Sequence, residues 1–201
     1  FRLADKGKAS IVTDPFSDSI GYSALKLKAD VVTISHDAPG HSHSGAVKGI
    51  RRVIERPGEY EIGNIPIVGV ALHNTQVDPP KRNVGYMFDF DGLTVAHLGD
   101  LDHIPPQSII ELFGGVNVAL VPVGGGGGLN ATQAVELISL LEPNIVIPMH
   151  YQTPQSRLDL EPLDRFLREM GMSRVHQEQV FKVAASSLPE QTQIVVLEVA
   201  A

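Results

Sequence analysis

The strongest constraint on the fold is a series of short apolar runs, rich in Val and Ile and each as long as a β-strand. Gly and Pro residues, 19 and 14 in number, lie between these runs as turns and do not collect in one linker. Asp91-Gly92 separates two of the runs and predicts a two-residue hairpin. The predicted strands are Ala9–Thr13, Asp30–Ser35, Ile65–Leu72, Gly85–Phe90, Leu93–Ala96, Val116–Val123, Asn144–Met149 and Ile194–Val199.

Helical periodicity is confined to a few segments and is clearest in the second half of the chain. We predict helices at Thr132–Leu141, with Asn130 as its N-cap, at Leu160–Met170 and at Ser108–Phe113, and a fourth beginning near Ser44. The pattern in the first half of the chain is typical of β-hairpins, whereas strands and helices alternate in the second half. This pattern favours an α/β fold in which helices cover sheets, and it argues against a simple doubly wound sheet.

Composition narrows the class of protein and the kind of site. The 201 residues, 43% of them hydrophobic, predict one domain with a substantial core. A net charge of −7 argues against a nucleic-acid module that depends on a basic face. The absence of a long apolar run and of a signal peptide predicts a cytoplasmic protein without a membrane span. Because the chain has no Cys, any metal ion has to be held by His nitrogen and carboxylate oxygen.

Four of the predicted strands lead directly into metal-ligating residue types. His36, His73 and His150 each come straight after an apolar run, and a fourth run leads through His97 to Asp100. Because the carboxyl ends of strands can gather at one edge of a sheet, we expect these side chains to share a site. Imidazole and carboxylate are ligands of zinc, iron and manganese. A Ser-His-Asp triad is disfavoured because no Gly-x-Ser-x-Gly elbow occurs.

The run Gly124–Gly128 follows one predicted strand and precedes a predicted helix. This position is compatible with a phosphate-binding loop, but the Lys and Ser/Thr of a P-loop and the spacing of a dinucleotide fingerprint are missing. The interpretation we favour is a flexible loop at the rim of the site.

The order of these residues resembles that of the metallo-β-lactamase superfamily, and most of all its branch of zinc-dependent hydrolases related to ascorbate-phosphate lactonases. The resemblance covers nearly the whole chain and implies an αββα sandwich of two mixed sheets with helices outside. It also implies that 1–201 is a single domain whose usual first strand is absent upstream of Phe1. The segments that carry it are Thr13-Asp14-Pro15-Phe16, His36 with His41, His73, His97-Leu98-Gly99-Asp100 and Ile147-Pro148-Met149-His150-Tyr151.

The first motif departs from the family pattern at two positions. The family has His-x-His-x-Asp-His, whereas this chain has His36-Asp37-Ala38-Pro39-Gly40-His41, so that Ala38 replaces a His and Gly40 replaces an Asp. The resemblance implies two metal ions, each of which has lost one protein ligand in this chain. It also implies that Asp100 bridges the two ions and acts in catalysis. The metal ligands that the resemblance implies are His36, His41, His73, Asp100 and His150.

The reduced ligand set leaves several alternatives open. His43 or Asp37 are candidates to replace a lost ligand. The implied cofactor is zinc, with manganese or iron as alternatives, at one ion or none per chain. The implied activity is hydrolysis of a small-molecule substrate, an ester, lactone or phosphoester, in which Asp100 orients the attacking water and His97 or Tyr151 assists. The competing interpretations are a non-catalytic binding or scaffolding protein without metal and a metal-free hydrolase. The chain also permits a homo-oligomer.

Overall fold

The computed structural model describes residues 1–172 and 175–199, and in this part of the chain it contains three α-helices and fourteen strands. The helices are α1 (Gln107–Ile110), α2 (Ala131–Leu141) and α3 (Leu163–Glu169), with 3-10 turns at Asp18–Ile20, Ser44–Ala46, Glu111–Phe113 and Ala185–Ser187. The strands are β1 (Arg2–Leu3), β2 (Ile11–Thr13), β3 (Leu27–Lys28), β4 (Val31–Thr33), β5 (Val47–Lys48), β6 (Arg52–Ile54), β7 (Gly58–Glu61), β8 (Pro66–Ala71), β9 (Val84–Phe90), β10 (Leu93–His97), β11 (Val118–Pro122), β12 (Ile145–Met149), β13 (His176–Glu178) and β14 (Gln193–Leu197).

The larger sheet has eight strands in the order β13-β14-β12-β11-β10-β9-β8-β7. Strands β7 to β10 form an antiparallel meander. From β10 onward, through β11, β12 and β14 to β13, each strand is parallel to the next one in the sheet. Since β8 and β10 are both antiparallel to β9, they point in the same direction. The carboxyl ends of β8, β10, β11 and β12 therefore lie along one edge of the sheet.

The smaller sheet has the order β1-β2-β4-β6, and β2, β4 and β6 are parallel. The carboxyl ends of β2 and β4, which lead into Asp14 and His36, thus share an edge. The backbone N–H of Val84, at the start of β9, donates to the carbonyl of Ser35 at 2.9 Å. This hydrogen bond joins the two sheets at the edge where those strands end.

A central apolar core fills the space between the two sheets, as expected for inward-facing residues of a sandwich. The small sheet contributes Ile11, Val31 and Ile54, and the large sheet contributes Ile67, Phe88, Val95, Val118, Leu120, Ile145, Ile147 and Val195 among others. A second core lies on the outer face of the large sheet and includes residues of all three helices and of the 3-10 turn at Glu111–Phe113. The outer face of the small sheet is covered by β3 and β5. The predicted α/β arrangement of two packed sheets is confirmed, with its helices on the outer face of the large sheet.

The predicted elements agree with the structure in position and differ at their ends. The Asp91-Gly92 hairpin is confirmed, with positive φ values of 56° and 88° at its two residues. The Asn130 cap of α2 is also confirmed, as part of a capping box with Gln133. Helix α3 begins at Leu163 because Glu161 precedes a proline and its N–H bonds the carbonyl of Gly124.

Two short predicted helices have a different form in the structure. The segment predicted at Ser108–Phe113 is divided into α1 and a 3-10 turn, and it ends where Gly114 follows. The helix predicted to begin near Ser44 is a single 3-10 turn, Ser44–Ala46, because the chain enters β5 directly after it. No helix in the described ranges has the length and the hydropathy that crossing a membrane requires.

Tyr86 links the two sheets through its hydroxyl group. The residue lies on β9, is fully buried, and its hydroxyl is 3.0 Å from the carbonyl of Ile34 and 3.2 Å from that of Ile54. Both carbonyls belong to the smaller sheet or its extension. Because the hydroxyl has one proton to donate, the two carbonyls share it.

We expect Tyr86→Phe to lower the free energy of unfolding by about 1–2 kcal/mol, since it removes a buried hydrogen bond and leaves a buried acceptor without its donor. Tyr60→Phe is the matched control, because the Tyr60 hydroxyl bonds the Arg56 carbonyl at an exposed position, and its effect is expected to stay within about 0.5 kcal/mol. Urea denaturation of both variants measures the difference. Equal effects would contradict a role of Tyr86 in joining the sheets.

Candidate metal centre

The strand ends of both sheets meet at one place and form two groups of candidate metal ligands. In the described part of the chain, one group is Asp14, His36 and His41, and the other is His41, Asp100 and His150. Within each group the ligand atoms lie within 4.8 Å of one another. His41 belongs to both groups and connects the side chains of the small sheet to those of the large one.

Two of these residues leave their strands in a left-handed backbone conformation. Asp14 follows β2 with a φ of 44°, and His150 follows β12 with a φ of 53°. Such values are uncommon for residues with a Cβ and tend to occur at functional sites. The conformation turns each side chain from the strand end into the centre.

The group around Asp14 is linked by hydrogen bonds through Ser35. The Asp14 Oδ2 atom accepts from the Ser35 hydroxyl at 2.5 Å and lies 2.8 Å from Nδ1 of His41, and its Oδ1 atom accepts from the Ser35 N–H at 2.8 Å. The Ser35 hydroxyl also lies 3.0 Å from Nδ1 of His36. Asp14 therefore holds the orientation of His41 directly and that of His36 through Ser35.

The group around Asp100 contains buried polar atoms that have no hydrogen-bond partner. Asp100 Oδ1 and His150 Nδ1 lie 3.4 Å apart, and both atoms are buried and unpaired. Leaving such atoms unpaired is costly, and paired or metal-bound arrangements are the rule for buried polar groups. Two imidazoles and one carboxylate also match the three-ligand set of catalytic zinc sites. These residues therefore fit a divalent metal ion.

Asn83 sets the position of Asp100. Its side-chain amide donates to the carbonyl of Leu98 at 2.9 Å, and its Oδ1 atom accepts from the N–H of Asp100 at 3.1 Å. Gly99 has a φ of 60°, and a Cβ there would lie 2.3 Å from Asn83 Oδ1. The turn after β10 therefore requires glycine, and it presents the Asp100 carboxylate to His150.

The glycine run Gly124–Gly128 lies against the site, in agreement with its interpretation as a rim loop. A Cβ on Gly128 would lie 2.6 Å from Asp100 Oδ1 and 3.5 Å from His150 Nδ1. A Cβ on Gly124 would lie 2.4 Å from the carbonyl of His150. Close approach of backbone to the ligand residues is thus one reason for glycine in this loop.

Four of the five residues predicted as ligands come together, and His73 is not part of either group. The His73 ring bonds the Asn83 backbone, with Nδ1 2.7 Å from the carbonyl and 3.0 Å from the N–H. It also lines a cavity of about 400 Å³ with His103 and Ile104. The ring is therefore held beside the centre by a backbone partner.

The two candidate replacement ligands lie outside both groups. Asp37 is exposed and accepts a hydrogen bond from the Ser42 hydroxyl at 2.8 Å, and His43 is exposed. A Cβ on Gly40 would make an ordinary contact with Ile20 at 3.9 Å.

Sequence reasoning did not assign Asp14, Asn83 or Lys81 to the site. Asp14 carried the same signal as the predicted ligands, a metal-ligating residue type directly after an apolar run, but was named only within a segment that carries the resemblance. Asn83 and Lys81 lie in a segment before β9 that shows no motif, and only the tertiary structure brings them to Asp100.

Burial and neighbouring charges control the protonation of the centre. Burial, together with the charge of His41, lowers the pKa of His36 to about 4. Burial likewise lowers the pKa of His97 to about 4 and lowers that of His150. Burial favours a higher pKa for Asp14, but His97 and the hydrogen bonds from His41 and Ser35 outweigh it and lower the pKa to about 2. Near pH 7 the rings of His36 and His150 are therefore neutral, the form that binds metal.

The fold and the site define a class of protein: a two-sheet sandwich with His and Asp side chains from strand ends forming a metal-ligating cluster at one edge. Residues 1–150 match the family model described as a beta-lactamase superfamily domain. A UPF0173 metal-dependent hydrolase of Pyrococcus horikoshii is 33% identical over 165 residues, which cover 78% of this chain and 72% of that protein. Another metal-dependent hydrolase of this group, from Korarchaeum cryptofilum, is 30% identical over 179 residues, which cover 74% of this chain and 78% of that protein.

A solved structure from Thermotoga maritima, proposed to be a Zn-dependent hydrolase of the metallo-β-lactamase superfamily, superimposes with a TM-score of 0.78 at 35% identity. The match covers 100% of this chain and 94% of that one. The chain belongs to the metallo-β-lactamase superfamily, as its motifs predicted.

We expect Gly128→Ala to displace the Asp100 carboxylate, because the new methyl group would lie 2.6 Å from Oδ1. The backbone of Gly128 is not in the left-handed region, so the effect is steric. Stability should fall by about 1–3 kcal/mol, and zinc affinity by about tenfold or more. Gly45→Ala is the control, since a Cβ there meets nothing within 4 Å. Urea denaturation and zinc titration calorimetry test both variants, and equal behaviour would contradict the proposed close approach.

The stability of the metal-free protein should fall as the pH is lowered through the range from 6.5 to about 4. Because the pKa of buried His97 is lowered from 6.5 to about 4, the unfolded chain takes up a proton that the folded chain does not. This effect amounts to about 2 kcal/mol between pH 7 and pH 5. Urea denaturation in EDTA measures it. His97→Asn should reduce the slope, and an unchanged slope would show that His97 is not responsible.

Proposed function

We propose that this chain is a metal-dependent hydrolase that holds one zinc ion with His41, Asp100 and His150. The observation that carries the proposal is the pair of buried, unpartnered atoms, Asp100 Oδ1 and His150 Nδ1, beside His41. The relatives named metal-dependent hydrolases support the same activity. Manganese or iron can take the same nitrogen and oxygen ligands, so zinc is the choice favoured by the three-ligand set.

The ion, when bound, supplies Lewis acidity and lowers the pKa of water toward 7. The chain's own residues hold and orient the reactants. Asp100, fixed by Asn83, orients the attacking water as well as holding the ion. Asp14 is ionised at neutral pH and keeps His41 in place through its hydrogen bond to Nδ1. The substrate that we propose is a small ester, lactone or phosphoester.

A second candidate function is a binding protein of the same fold that has lost its metal. It is favoured by the three hydrogen bonds that the Asp14 carboxylate already accepts from Ser35 and His41. Ala38, in place of a family histidine, points in the same direction. The two functions differ in metal content, which can be measured directly.

We expect protein purified without chelator or nickel resin to contain about one zinc ion per chain. Asp100→Asn should reduce the zinc content to about a tenth or less of that in the unaltered protein. It should also slow hydrolysis by about a hundredfold, with p-nitrophenyl esters, lactones or bis(p-nitrophenyl) phosphate as substrates. Elemental analysis and these assays measure the two effects. Asp91→Asn, the same change at an exposed turn, serves as the control and should match the unaltered protein.

Two results would decide against the hydrolase. A zinc content below about a tenth of an equivalent, with no gain after addition of zinc, manganese or iron, would favour the binding protein. Hydrolysis that persists in Asp100→Asn would show that the reaction does not depend on this centre.

A further inference from the structure

The side chain of Lys81 reaches the same carboxylate that faces His150. Its Nζ atom donates to Asp100 Oδ2 at 3.1 Å, to the backbone carbonyl of Asp100 at 3.3 Å and to the carbonyl of Gly127. These are three acceptors for the three protons of the ammonium group. The Oδ2 atom of Asp102 lies 3.9 Å away. Four oxygens thus lie around a single positive charge that is partly buried.

The backbone fixes Lys81 in this place. Its N–H and carbonyl exchange two 2.9 Å hydrogen bonds with the carbonyl and N–H of Asn74. Gly127 passes close to the ammonium, and a Cβ at that position would lie 3.6 Å from Nζ and 3.8 Å from Asp100 Oδ2, both ordinary contact distances. The position of the charge therefore depends on the fold around it and not on a freely moving surface side chain.

The two oxygens of Asp100 consequently have different surroundings. Oδ2 is paired with the Lys81 ammonium, whereas Oδ1 is buried without a partner and lies 3.4 Å from His150 Nδ1. A carboxylate can join two metal ions through both of its oxygens or through one, and here Oδ2 is already paired with a cation. A second divalent ion at Oδ2 would also be repelled by the ammonium at short range.

We propose that Lys81 supplies the second cation of this centre, so that Asp100 joins one metal ion at Oδ1 to a protein-borne positive charge at Oδ2. The inference rests on the proposed function, since it assumes that an ion binds at His41, Asp100 and His150. It assigns to Lys81 the role of a positioning residue that sets the metal stoichiometry. The oxygens around its ammonium are ligands of the kind that a hard cation such as Mn²⁺ takes.

The test is the binding of a second ion after the ammonium is removed. Protein loaded with zinc is titrated with Mn²⁺, and free Mn²⁺ is followed by electron paramagnetic resonance. We expect the unaltered protein to bind one zinc ion and Mn²⁺ only weakly. In Lys81→Ala the four oxygens become available, and Mn²⁺ should bind about a hundredfold more tightly. Lys81→Arg keeps the charge and should behave like the unaltered protein.

Lys8→Ala is the matched control for loss of a lysine paired with an aspartate. Lys8 Nζ lies 2.7 Å from Asp91 Oδ1, at the end of β10 opposite the centre, and its removal should leave Mn²⁺ binding unchanged. Circular dichroism and thermal denaturation establish that each variant is folded. If Lys81→Ala does not fold, Lys81→Gln, which is neutral and also shorter than lysine, takes its place in the titration.

The outcomes separate this inference from the proposed function. Equal Mn²⁺ affinity of the unaltered protein and the neutral Lys81 variants would overturn the role of Lys81 while leaving a metal-dependent hydrolase intact. Binding of two ions by the unaltered protein would also overturn the role of Lys81 and leave a metal-dependent hydrolase intact. One zinc ion and the expected gain of Mn²⁺ binding, without hydrolysis of any substrate tested, would support the role of Lys81 and decide against the hydrolase. Absence of zinc binding would overturn both.

Discussion

The apolar packing between the two sheets is the interaction on which the site depends. Asp14, His36 and His41 come from the small sheet and the turn after it, whereas Asp100 and His150 come from the large sheet. The proposed ligands His41, Asp100 and His150 come from both sheets, so the inter-sheet core is what brings them together. The Tyr86 hydroxyl and the Val84–Ser35 hydrogen bond add directional contacts to this otherwise non-directional packing.

The two halves of the centre have different physical roles. Around Asp14, hydrogen bonds satisfy the carboxylate and hold the imidazoles of His36 and His41. Around Asp100, a carboxylate oxygen and a ring nitrogen are buried without partners. One half therefore positions ligands, and the other half leaves two polar atoms unpaired. This division is consistent with the proposal that three ligands hold one metal ion.

Much of the fold and part of the site could be predicted from local sequence. The eight strands predicted from apolar runs are present, because Val- and Ile-rich runs of that length are stable only when buried in a sheet. Four ligand candidates could be found because they come directly after such runs or in the family motif. The short strands β1, β3, β5, β6, β7 and β13 were not predicted, since two to four residues are too few to show a period.

The sequence by itself determined the chemistry available: no Cys, histidines and an aspartate at strand ends, and glycine where the backbone has to approach them. Only the tertiary structure decided which of these groups meet. It placed His73 against the Asn83 backbone, paired Asp14 with Ser35 and His41, and brought Lys81 to Asp100. Hydrogen bonds and charge pairs between residues far apart in the chain depend on distances in three dimensions, and local sequence patterns carry no information about those distances.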